Sequence, residues 1–317
     1  HFDSLLSNPF ELIFWQTVAI AIIVFVLSRG LKGGIEKAMK YLMSALFLIL
    51  LMMVAISLSL GDFSKTFSFL FSFKPEEISK DVVLAALGQA FFTVGVGSGM
   101  GVIFGSYLEK DVSIVKSALI VVSADTFVAV LAGLAIYPIM FAQGVSPESG
   151  PDLVFITLPL LFSELQYGQF IGLLFMLLLA IAAISSAIAI SEVPISWISE
   201  KLKMSRVVAT LVYALGIWLL GLMTVFSFNT LADFFPLGFL ATYSDKTMFD
   251  IIDYACTHLL FPIGGLGLVI FCGFALKKEI LMNQIMPAGV GNFALFNVAY
   301  IIFKYLLPLI LIALLLL

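Results

Sequence analysis

Eight stretches of this chain are apolar for long enough to cross a bilayer, and only short polar segments separate most of them. A hydrocarbon core about 30 Å thick calls for roughly 20 apolar residues in a helix. Inside it every backbone N–H and C=O must be satisfied within the segment, so each stretch is expected to be helical. Of 317 residues, 62% are hydrophobic and 11% charged, a balance foreign to soluble domains. The expected fold class is therefore an all-α polytopic membrane protein with eight transmembrane helices. Cys256 and Cys272 fall in one apolar stretch and the histidines are only His1 and His258, which argues against a disulfide framework or a histidine metal centre. No basic patch supports nucleic-acid binding.

The spans run approximately Leu12–Leu27, Tyr41–Leu60, Val82–Leu108, Ile114–Met140, Gln169–Ile190 (continuing as helix to Glu200), Val207–Val225, Phe249–Leu276 and Phe293–Leu317. Pro308 predicts a kink in the last. Between the fourth and fifth spans, Pro147, Gly150 and Pro151 precede an apolar piece, Leu153–Phe162, too short to span and expected as a lid helix at the surface. The loops after the first, third, fifth and seventh spans are basic, with Arg29, Lys32, Lys110, Lys201, Arg206, Lys277 and Lys278 among them. Basic loops stay in the cytoplasm, so both ends of the chain are expected outside. The chain opens His1-Phe2-Asp3-Ser4, with neither Met nor a signal-peptide pattern.

The third span contains Gln89-Ala90-Phe91-Phe92-Thr93-Val94-Gly95-Val96-Gly97-Ser98-Gly99-Met100-Gly101. Glycine is costly inside a helix, and a backbone that leaves the helix in lipid is tolerated only where it is buried in protein or lines a polar cavity. Gly95/Gly99 and Gly97/Gly101 also have the spacing that lets membrane helices pack closely. The polar neighbours Gln89, Thr93 and Ser98 favour a broken helix over 82–108 at a transport site.

Ionisable and polar groups inside a span are expensive and tend to mark a pathway. Asp125 lies in the fourth span and Ser185-Ser186 midway along the fifth, while Asp250 and Asp253 open the seventh. The serines could instead bond back to a helix carbonyl, and the two acids could serve a solvated helix start. Thr93, Asp125, the Ala182 carbonyl, Ser185 and Ser186 together form a set of hard oxygens suited to a cation such as sodium.

At this point the residues resemble the neurotransmitter:sodium symporters, bacterial branch. Gln89-Ala90-Phe91-Phe92-Thr93 with the glycine break and Gly105-Ser106-Tyr107 resembles their unwound sixth helix. Ser185-Ser186-Ala187-Ile188-Ala189-Ile190 resembles the eighth, and Phe249–Tyr254 with Leu260–Gly265 the tenth. Lys32–Lys37 resembles the link between the fourth and fifth. The resemblance implies helices four to eleven of an inverted-repeat (5+5) fold: residues 12–60 as the last two helices of the first repeat, 82–276 as the second, and 293–317 as an extra helix, in one membrane domain. Helices one to three would come from a separate or upstream segment.

The resemblance further implies sodium ligands at Thr93 and Asp125, where the family often has Asn, and at Ala182, Ser185 and Ser186. It places Phe92, Thr93, Gly95, Ser98, Ser186 and Ile190 around an amino-acid or amine substrate. Gln89 and Asp253 fall at an outer gate, Tyr107 and Glu200 at an inner one. Ala129 offers neither the chloride-binding Ser nor the substituting acid of the family, which leaves chloride open. The implied function is sodium-coupled symport by alternating access in the cell membrane, without enzymatic activity. Two other readings are a degenerate, non-transporting membrane fragment and an intramembrane serine hydrolase using Ser98 and His258.

Overall fold

The computed structural model describes residues 2–109, 112–146, 152–240, 243–285 and 293–315. His1, Lys110, Pro147, Gly150, Pro151 and Leu317, named above, lie outside the described residues. Secondary structure among the described residues is helical. In chain order the α-helices are α1 (Phe2–Leu6), α2 (Pro9–Leu27), α3 (Glu36–Leu60), α4 (Phe63–Phe71), α5 (Lys80–Val94), α6 (Met100–Ser106), α7 (Ile114–Ala142) and α8 (Leu158–Ser163). They continue as α9 (Gly168–Lys201), α10 (Arg206–Phe226), α11 (Met248–Tyr254), α12 (Phe261–Ile270), α13 (Lys278–Ile285), α14 (Phe293–Ile301) and α15 (Leu307–Leu315).

Seven helical stretches among the described residues are long and apolar enough to cross a membrane: Pro9–Leu27, Leu31–Leu60, Ile114–Ala142, Gly168–Lys201, Arg206–Phe226, Met248–Ala275 and Phe296–Leu315. The third expected span is not among them, because it is divided into α5 and α6.

Several long stretches change register where proline enters. A π-turn at Leu153–Thr157 precedes Pro159, one at Ala255–Leu260 precedes Pro262, and one at Ile302–Leu306 precedes Pro308. Proline has no N–H and its ring collides with the carbonyl of the preceding turn. A widened turn shifts that carbonyl to the next donor and lets the helix continue. The irregularity expected at Pro308 thus takes the form of a π-turn before it.

The chain divides into two compact units, residues 1–75 with 126–232 and residues 76–125 with 233–317. In the first, α3, α7, α8 and α9 share a core that includes Leu50, Met53, Leu131, Ile139, Leu158, Phe162 and Phe175. The Phe162 and Phe175 rings meet edge to face at 5.3 Å. Leu158 and Phe162 are 0% and 1% exposed, so Leu153–Phe162 is not a surface lid. One face of α8 is part of the core. α4 begins on Asp62, which accepts from the Lys65 N–H at 3.0 Å. That bond, with the Lys65 ammonium beside it, holds the Asp62 carboxyl below the usual carboxylate range.

In the second unit, Ser79 caps α5 by accepting from the Val82 N–H at 3.2 Å. α11 opens on a capping box. The Thr247 N–H donates to Asp250 Oδ2 at 2.9 Å, and the Asp250 N–H to Thr247 Oγ1 at 3.4 Å. Asp250 therefore serves the helix start, the alternative weighed for it above.

Candidate transport site

The glycine run breaks the helix by backbone geometry. α5 ends at Gly95, whose φ of 68° is left-handed; Val96–Ser98 form one 3₁₀ turn; Gly99, with φ 77°, admits α6. A side chain at either glycine would be strained. Gly97 serves a different purpose. A Cβ there would overlap the carbonyl of Phe261, and one on Gly264 would overlap the carbonyl of Gly97, so the turn lies directly on the start of α12. Gly101 has open space around its Cβ position, so this glycine is not used for close helix packing among the described residues.

Asp125 is brought to this break within the second unit. Thr93 Oγ1 donates to Asp125 Oδ1 at 2.9 Å, joining the last turn of α5 to α7. Asp125 is half-buried and Thr93 exposed. A threonine hydroxyl keeps two lone pairs while donating, and an ionised carboxylate has acceptor sites to spare. The pair can therefore present oxygen to a cation without breaking its own bond. The adjoining Phe92 ring is 50% exposed and packs edge to face on Phe261 at 5.5 Å. Gly95 is buried. Ser98 Oγ donates to the Gly95 carbonyl at 2.7 Å and accepts from the Met100 N–H at 3.3 Å, so its hydroxyl closes the turn. Gln89 and Asp253 are exposed in this unit, and so is Tyr107, whose ring meets Phe104 edge-on at 6.2 Å.

In the first unit, Ala182, Ser185, Ser186 and Ile190 lie on consecutive turns of α9. Ser185 is 6% exposed, and its Oγ donates to the Ala182 carbonyl at 2.9 Å. That is the back-bonding arrangement weighed above, with the carbonyl three residues earlier. It holds two of the oxygens expected around sodium side by side; the hydroxyl keeps its lone pairs, while the carbonyl accepts both this hydroxyl and its helical N–H. Ser186 and Ile190 are exposed on the same helix, and Glu200 is exposed near its end.

Sequence reading missed Glu192, and it placed Arg206 in a basic loop. Glu192 is 0% exposed within α9. Arg206 Nη1 donates to its Oε1 at 2.9 Å and Nη2 bonds to Oε2, while Ser196 Oγ adds a third bond at 2.9 Å. Arg206 Nε donates to the Leu27 carbonyl at 2.8 Å. One guanidinium thus joins the end of α2, the middle of α9 and the start of α10. The signal was present: an acid well inside an apolar helix, followed 14 residues later by an arginine at the head of the next.

The hydrolase constellation is not assembled. Ser98 is engaged within its own turn, while His258 Nδ1 is paired with Thr257 Oγ1 at 2.7 Å and its ring stacks on Tyr254 at 4.7 Å.

A model of the sodium:neurotransmitter symporter family matches residues 4–263. An uncharacterized sodium-dependent transporter of Haemophilus influenzae is 36% identical over 274 residues, covering 86% of this chain and 58% of its own length. The uncharacterized sodium-dependent transporter YhdH of Bacillus subtilis is 31% identical and covers 97% of this chain and 67% of its own. The crystal structure of MhsT in complex with L-phenylalanine matches 99% of this chain and 70% of its own, at 31% identity and a TM-score of 0.84. The chain spans about three-fifths to two-thirds of the length of these two transporter relatives.

Proposed function

Because the chain belongs to the sodium:neurotransmitter symporter family, we propose that it forms the sodium-binding and substrate-facing part of a symporter for amino acids or related amines. It is a multi-pass protein of the cell membrane, and its family comprises transporters rather than enzymes. The observation that carries the proposal is the Thr93–Asp125 bond at 2.9 Å, set beside a backbone that two left-handed glycines take out of the helix. A carboxylate, a hydroxyl and irregular backbone are what a hard monovalent cation requires at membrane depth.

On this reading Thr93 and Asp125 belong to one sodium site, and Ala182, Ser185 and Ser186 to a second. Phe92, Gly95, Ser98, Ser186 and Ile190 wall the substrate, with Ser98 contributing through the turn its hydroxyl closes. Gln89 and Asp253 act at the outer mouth, Tyr107 and Glu200 at the inner one. The inverted repeat, alternating access, and the supply of the first three family helices by a separate or upstream segment belong to the same proposal. L-Phenylalanine, the ligand in the MhsT complex, is the natural first probe.

The second sodium site has a separate test. One helical turn separates Ala182 from Ser185 and Ser186, so all three can face one ion. In the protein carrying these 317 residues, Ser185→Ala with Ser186→Ala is expected to raise the sodium concentration for half-maximal uptake at least several-fold, with expression little changed. An unaltered sodium dependence would reduce the Ser185–Ala182 contact to local helix bonding.

A further inference from the structure

Between Phe293 and Leu315 the chain has one charged residue, Lys304. Ammonium groups are disfavoured in hydrocarbon and extend toward the interface on their apolar stems. Helical side chains lean toward the N-terminus of their helix, which here is the end adjoining Lys277 and Lys278. The structure shows that lean. Lys304 Nζ lies 5.7 Å from the centre of the Tyr300 ring, one turn earlier, and 4.7 Å from that of Phe274. Tyr305 flanks it at 5.7 Å.

Lys278 reaches the same ring from the start of α13. Its Nζ is 5.2 Å from the Tyr300 centre and 6.0 Å from that of Phe296. Tyr300 is held by its hydroxyl, which donates to the Gly273 carbonyl at 3.1 Å. Two ammonium groups therefore share one fixed aromatic ring. A ring quadrupole attracts each cation but cancels no charge between them. Among the described residues neither has a carboxylate partner within ion-pair distance. The pair offers two positive charges to an anion.

The surroundings select its chemistry. Phe274 and Tyr305 are 54% and 56% exposed beside the two cations, forming an apolar wall with a tyrosine, a residue type enriched where spans meet lipid headgroups. Phosphate oxygens accept from ammonium groups, and basic sites between spans on the cytoplasmic side suit anionic headgroups. A soluble phosphate has the same charge but gains nothing from the wall. We propose that Lys278 and Lys304, held over Tyr300, bind the phosphate of an anionic phospholipid in the leaflet at the basic end of these helices.

Native mass spectrometry of the protein carrying these residues, released from micelles containing equal amounts of phosphatidylglycerol and phosphatidylcholine, tests this. The most tightly held lipid should be phosphatidylglycerol. Each lysine near a membrane surface contributes about fivefold to anionic-lipid affinity. Lys278→Gln, an exposed change, should therefore weaken retention about fivefold, and Lys304→Met should do the same. Lys304→Arg should retain the lipid, and Lys37→Gln in the first turn of α3 should leave it unaffected. Absence of headgroup preference in the unaltered protein would overturn the proposal, as would unchanged retention by Lys278→Gln, whether or not Lys304→Met folds. Displacement by millimolar inorganic phosphate would assign the site to a soluble anion and overturn the lipid assignment.

Discussion

Glu192→Ala should destabilise the chain by about 3–5 kcal/mol, the cost of leaving one half of a buried ion pair without its partner. The carboxylate is fully buried and accepts two guanidinium bonds and one serine bond. Its removal strands Arg206, whose side chain is only 25% exposed, with the Leu27 carbonyl as a remaining acceptor. Thermal unfolding in detergent, followed by the fluorescence of Trp15, Trp197 and Trp218, measures the loss. Arg206→Lys should also be damaging, because an ammonium cannot bridge both carboxylate oxygens and the Leu27 carbonyl in the same planar fork. Glu192→Leu combined with Arg206→Met should be milder than either charge-removing single change, since well-packed apolar pairs often replace buried ion pairs at little cost. Equal instability of the double and single variants would show that shape, rather than the unpaired charge, governs this position.

The largest functional effect is expected at Asp125. On the proposed reading Asp125→Ala removes the carboxylate of the proposed ligand set and the acceptor of the Thr93 hydroxyl. Sodium-dependent uptake should fall to background, or the sodium requirement should rise by more than about tenfold, equivalent to about 1.4 kcal/mol of binding. Asp125→Asn should retain uptake with a weaker sodium dependence, because its amide oxygen can still accept from Thr93 and face a cation. That contrast separates ligation from folding. A merely structural aspartate would affect protein yield and thermal stability, leaving the sodium titration of the surviving protein unmoved.

Much of the architecture is legible in the sequence because lipid imposes a simple rule: apolar runs become helices. The break at Gly95–Gly99 is legible for the same reason, since glycines at alternate positions there have a large helical cost. The lid expected at Leu153–Phe162 failed because length says whether a segment can span, not what it packs against. Leu158 and Phe162 are buried against α9 residues whose proximity depends on tertiary structure. Glu192 was missed for a related reason. Positive charge near a span end is informative about orientation, and that use of Arg206 obscured its role as a buried partner. The candidate site was legible as an oxygen inventory. That Thr93 and Asp125 meet at 2.9 Å depends on the tertiary approach of two residues 32 apart in the chain, which local pattern does not encode.

The central claim is that these residues serve sodium-coupled transport, and gradient-driven uptake tests it most directly. The protein carrying the 317 residues is reconstituted into proteoliposomes, and amino-acid uptake is measured under an inward sodium gradient. Parallel vesicles replace external sodium with potassium or choline at equal ionic strength. The account predicts concentrative uptake that requires sodium and collapses when the gradient is dissipated. Concentrative uptake of equal size in potassium or choline, or a sodium gradient that drives no amino-acid accumulation by correctly folded protein, would contradict it.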